Sequence, residues 1–142
     1  MIASVMVALD STAIAPRVLA VATEIADRFD ARMYLFRAIH VPPEFPAAAA
    51  HALPDDPLPA SLTRRAAAEL LALAAGNPRA SSATLVIEEG DPWRAIIAAS
   101  DRLSIDLVVM GSHTYHWPDQ LFGTVAARLA NRGHRNVLIV HA

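Results

Sequence analysis

Ile105-Asp106-Leu107-Val108-Val109-Met110-Gly111-Ser112-His113 is the stretch on which the fold turns. From Ile105 to Met110 only Asp106 is polar, so the run suits a strand covered on both faces, as in a parallel sheet. Upstream, Gly90-Asp91-Pro92 opens a helix, with Asp91 as N-cap and Pro92 at its first position. Before that, Ala83–Glu88 reads as another strand. Downstream, a loop from Gly111 to Phe122 leads to a helix from about Gly123 to Arg132, which Gly133 ends, and Asn136–His141 is a last strand.

The first half repeats the alternation. Ile2–Leu9 is an apolar run that stops at Asp10, and Met33–Ile39 is a second. Between them, Ile14, Val18, Val21, Ala22, Ile25 and Phe29 recur at helical spacing, with Ser11 or Thr12 as cap and Pro16 in the first turn. His40–Pro59 holds six of the ten prolines and reads as a loop. Ser61 then caps a helix to Ala75, which Gly76-Asn77-Pro78 stops. The order β-α-β-α-β-α-β-α-β predicts an α/β fold, a doubly wound five-stranded parallel sheet with right-handed crossovers.

Composition narrows the chemistry. A length of 142 residues suits one domain over 1–142, and 54% apolar against 18% charged residues argues against disorder. There is no cysteine, which excludes disulfides, zinc thiolates and a cysteine nucleophile. All 12 basic residues are arginine, so no Schiff-base or P-loop lysine exists. A net charge of -2 gives no general pull toward nucleic acid or anionic lipid. Ile2–Leu9 lacks a basic flank and is too short to span a membrane, and absent cysteine fits a reducing cytoplasm.

An open parallel sheet binds ligands at the carboxyl ends of its strands, where strand order reverses. In the order 3-2-1-4-5 that point lies between the first and fourth strands. Leu9-Asp10-Ser11 and Met110-Gly111-Ser112-His113 stand there, and the helix from Gly123-Thr124 aims its N-terminus at the same region, a setting that favours an anion such as phosphate.

The chain resembles the universal stress protein family over nearly its whole length. The resemblance rests on Val7-Ala8-Leu9-Asp10-Ser11, Gly90-Asp91-Pro92, Asp106 through His113, Gly123-Thr124-Val125-Ala126 and Asn136-Val137-Leu138-Ile139-Val140 in that order. It implies a flavodoxin-like sheet, a cytoplasmic homodimer through the last strand, and a stress-linked regulatory role with ATP and Mg²⁺ as ligand in the nucleotide-binding branch. By resemblance Asp10 sits by the base or ribose, Ala38 lines the base pocket, and Met110 and Gly111 flank the nucleotide. Backbone at Ser112, His113, Gly123, Thr124 and Val125 holds ribose and phosphates.

The family's ATP-binding pattern is Gly, two residues, Gly, nine residues, then Gly with Ser or Thr. Gly111, Gly123 and Thr124 fit it, but Thr114 stands where the second glycine belongs, and only eight residues separate Thr114 from Gly123. A β-branched residue resists positive φ and puts a Cβ where backbone must approach phosphate. The alternative function is therefore a dimeric interaction module with a degenerate nucleotide site. Slow ATP hydrolysis is a third reading, for which no general base is evident, and no catalytic residue is assigned.

Plainer readings stand beside these. Asp10 also reads as a turn or N-cap residue, Gly111 as a tight turn, and Gly123-Thr124 as simple helix initiation. His113, His116 and Asp119 have the spacing H-x2-H-x2-D but sit in a loop, where solvated histidines are the ordinary case and no metal is assigned. Ser112-His113 as a nucleophile pair lacks an orienting carboxylate. Tyr115 and Trp117 read first as packing aromatics. Val137, Ile139 and His141 alternate along an apolar edge strand, which needs either helical cover or pairing with a second copy.

Overall fold

The computed structural model describes residues 1–39, 58–112, 128, 129, 131 and 134–142. Five strands form one parallel sheet: β1 (Ser4–Ala8), β2 (Arg32–Ile39), β3 (Thr84–Glu89), β4 (Leu107–Gly111) and β5 (Asn136–Val140), in the order β3-β2-β1-β4-β5. That is the expected order. β1 and β4 are buried at every position. Neither alternates polar with apolar residues, because helices cover both faces.

Two cores flank the sheet. Val5, Val7, Leu35 and Val109 pack with α1 (Ala15–Phe29) and α2 (Leu58–Ala74), while Met6, Phe36, Val108 and Met110 pack with α4 (Pro92–Arg102) and with Leu129. Fully buried side chains of this size each contribute roughly 1.5–3 kcal/mol. Strand periodicity thus sorts alternate residues of β1 onto opposite faces.

The helices depart from the sequence reading in three places. α1 begins at Ala15 behind Ile14, with no side-chain cap, and the Thr12 hydroxyl is turned to Asp10, to which it donates. Its buried face is Ala15, Val18, Leu19, Ala22, Thr23 and Ala26, so Phe29 is left exposed, and Thr23 is accommodated by donating its hydroxyl to the Leu19 carbonyl at 2.7 Å. α2 starts at Leu58 rather than at Ser61. Pro59 falls in its first turn, where a missing N–H costs nothing, so this proline opens the helix instead of prolonging the loop. Residues 40–57 of that expected loop lie outside the described residues.

The third departure is a short helix, α3 (Pro78–Ser81), where Gly76-Asn77-Pro78 reads only as a stop. Asn77 is extended (φ -131°) and its side chain accepts from the Ala80 amide at 3.1 Å, while Pro78 fills the first turn. The same residues that end one helix cap the next. The new helix carries Arg79 to the C-terminus of α1, where Nη2 donates to the Ala26 carbonyl at 2.7 Å, a favourable end for a cation. Gly90, at φ +131°, makes the turn from β3 into α4, a conformation that an L side chain resists. No helix among the described residues is long and apolar enough to cross a membrane.

Candidate functional site

Ala8 pairs with Phe36 of β2 on one side and Met110 of β4 on the other. Carrying that register forward by two residues brings Ala38, Asp10 and Ser112 to one level at the carboxyl edge of three adjacent strands. Ala8, Ala38 and Met110 belong to the α4 face, and alternation along β1 places Asp10 on that face too. Leu129 packs into the same core. Met110 and Gly111 are buried, whereas Asp10, Ala38 and Ser112 are half-buried. Gly111 is the last residue of β4, and the Ser112 amide donates to the Val140 carbonyl at 2.8 Å, which ties the end of β4 to β5. His113, Thr114, His116, Asp119, Gly123, Thr124 and Val125 lie outside the described residues, as do Tyr115 and Trp117.

Asp10 does make the turn that the plain reading expects. Its Oδ1 accepts from the Thr12 amide at 3.0 Å and from the Thr12 hydroxyl. Such a two-residue side-chain turn fixes the carboxylate relative to the backbone just past β1.

One residue of this edge went unread in the sequence. Arg37 lies in β2 next to Ala38 but on the α2 face, and it is buried to 7% exposure. Its Nε donates to the Leu9 carbonyl at 3.2 Å and one Nη to the Asp10 carbonyl at 3.2 Å, while the other Nη pairs with Glu69 of α2. Glu69 also accepts from Arg65 at 3.1 Å. Burial pushes the Glu69 carboxyl up, but the hydrogen bonds and charges of Arg65 and Arg37 together outweigh it and hold the group below its ordinary value. The guanidinium is therefore neutralised and occupied beneath the site rather than turned toward an incoming anion. The signal was a lone charge inside the apolar run Met33–Ile39.

At the start of α4, Asp91 is the N-cap residue without a side-chain cap bond, and Pro92 follows. The guanidinium groups of Arg94 and Arg128 lie over the Trp93 ring, 5.0 and 4.9 Å from its centroid. Arg128 is helical, so this stack joins α4 to the segment before β5.

Asp106 stands at the other edge of the sheet. Its Oδ2 accepts from the Ala3 amide at 2.8 Å, the Ser4 amide at 3.0 Å and the Ser4 hydroxyl at 3.1 Å. The Ala3 bond first, then the Ser4 hydroxyl, hold its pKa below the ordinary carboxylate value. Its role is to clasp the start of β1. Among the described residues no group of three or more His, Asp or Glu side chains is arranged to hold a metal ion.

The model of the universal stress protein family matches residues 1–141. The chain belongs to this family. Solved universal stress proteins share its fold. UspA from Lactobacillus plantarum is 18% identical with a TM-score of 0.69, and 99% of each chain is covered. A universal stress protein in complex with cAMP is 24% identical with a TM-score of 0.68, over 99% of this chain and 97% of that one. The universal stress protein from Archaeoglobus fulgidus in complex with dAMP is 21% identical with a TM-score of 0.59, over 98% of both chains. No curated protein matches the chain. The strand order is that of the flavodoxin-like, nucleotide-hydrolase-like fold of the family.

Proposed function

We propose that this universal stress protein binds an adenine nucleotide at the carboxyl edge of β1 and β4, with ATP and Mg²⁺ as the physiological form. The observation that carries the reading is that Ala38 of β2 and Asp10 and Ser112, just past the ends of β1 and β4, come to one level at the point where strand order reverses. The complexes of two relatives with cAMP and dAMP support an adenine ring as the shared feature of the ligand. Asp10 meets the ribose or base, Ala38 lines the base, and Met110 and Gly111 flank it. Backbone groups of Ser112, His113, Gly123, Thr124 and Val125 hold ribose and phosphates.

The protein works as a regulator in the cytoplasm, a homodimer joined through β5 along Val137, Ile139 and His141. Ile139 on that edge strand and His141 just past its end are exposed, which supports a second copy as the strand's cover. Thr114 and the short loop before Gly123 favour one competing reading, a dimeric interaction module whose nucleotide site is degenerate.

Calorimetric titration with ATP, AMP and cAMP, with and without Mg²⁺, separates the two. The nucleotide reading expects saturable heat and a raised melting temperature. No heat and no thermal shift at millimolar ATP leave only the interaction module. Gly123→Asp abolishes binding if phosphate lies at that helix start, and unchanged binding would misplace the site.

A further inference from the structure

Arg37 is the one charged side chain among the described residues that is buried within the sheet, and neither the family match nor the level of Ala38, Asp10 and Ser112 accounts for it. Burying a guanidinium is costly unless its charge and its donors are all used. They are used here in a particular way. The β1–β2 ladder ends where the Leu9 amide donates to the Phe36 carbonyl at 2.9 Å. Beyond it, the planar fork of Arg37 supplies donors to the next two carbonyls, Leu9 and Asp10, at 3.2 Å each. Two consecutive peptide planes are thereby fixed. They set the direction in which the Asp10 side chain leaves the backbone, and Asp10 in turn holds Thr12. The third arm of the fork pairs with Glu69, which Arg65 also holds.

We infer that Arg37 is a positioning residue for the nucleotide loop. Acting from the α2 face, it fixes the Asp10 carboxylate on the opposite, ligand-facing side of the sheet, with Glu69 as its counter-charge. The inference rests on the nucleotide reading for its consequence in binding, but the hold on the loop exists without ligand. Lysine is a poor substitute, because a point charge on a flexible stem cannot serve two carbonyls and a carboxylate at fixed angles.

The test is a double-mutant cycle of Arg37→Met and Asp10→Ala, read by nucleotide titration and by amide hydrogen exchange of the ligand-free protein. If Arg37 acts through Asp10, Arg37→Met weakens ATP binding about tenfold and the double variant binds no more weakly than Asp10→Ala, the signature of coupled residues. Arg37→Lys falls between. In the free protein, exchange at the Thr12 amide rises in Arg37→Met while amides within β4 keep their protection. Should Arg37→Met not fold, Glu69→Gln and Arg37→Lys give the same pattern at smaller amplitude. Losses that multiply in the cycle, or unchanged Thr12 exchange in a folded variant, overturn the inference. Wild-type protein that binds no adenine nucleotide overturns the functional reading instead, and the exchange measurement then decides on Arg37 alone.

Discussion

The two edges of the sheet are held by opposite chemistry. A parallel sheet leaves strand N–H groups unpaired at one edge and strand carbonyls unpaired at the other. At the amino edge an anion closes the gap, since Asp106 accepts from two amides and a hydroxyl of Ala3 and Ser4. At the carboxyl edge a cation does so, with Arg37 donating to the carbonyls of Leu9 and Asp10. The difference is one of sides. Arg37 closes its edge only from the α2 face and leaves Asp10, Ala38 and Ser112 along the other, so one edge serves stability and the opposite edge is the one where we propose that a nucleotide binds.

Asp106→Ala leaves the Ala3 and Ser4 amides without their carboxylate, and we expect a larger loss of melting temperature than for Gly90→Ala or Arg28→Ala, with nucleotide affinity of the folded fraction unchanged. A matched loss of affinity would mean that the two edges are not separate in function. Gly90→Ala comes next. At φ +131° an added Cβ strains the β3–α4 turn, by about 1–3 kcal/mol in chemical denaturation.

Acid sharpens the same contrast. Asp106 and Glu69 both have folded pKa values below their ordinary ones. The unfolded chain therefore binds more protons over that window, so their stabilisation is complete above the ordinary carboxylate range and is lost as pH falls through the folded values. Asp106→Asn should flatten the acid limb of the stability curve, and an unchanged slope would remove Asp106 from the account. The smallest effect belongs to neither edge. Arg28 pairs with Glu24 on the exposed side of α1, and Arg28→Ala should cost less than about 0.5 kcal/mol.

Much of this was legible in the sequence. Apolar runs ending in Asp10 and in Gly111-Ser112 marked two strands whose ends meet, and the alternation of strands with helices predicted the sheet. What stayed hidden depended on partners far along the chain. Arg37 has a meaning only once α2 brings Glu69 against it, 32 residues later. Asp106 reads in the sequence only as the one polar residue of an apolar run, and its partners lie at the beginning of the chain. Local ambiguity explains the rest. Asn77-Pro78 serves as a stop and as a start, Pro59 belongs to a loop or a first turn, and Thr12 can cap a helix or serve Asp10, as it does here.

The central claim is that the carboxyl edge, on the α4 face, takes an adenine nucleotide. Amide chemical shifts of the labelled protein during ATP titration test it most directly. Nucleotide bound there shifts the amides of Asp10, Ala38, Met110, Gly111 and Ser112 and leaves Ala3, Ser4 and Asp106 unmoved. Shifts at the amino edge, or none at saturating ATP, would contradict it.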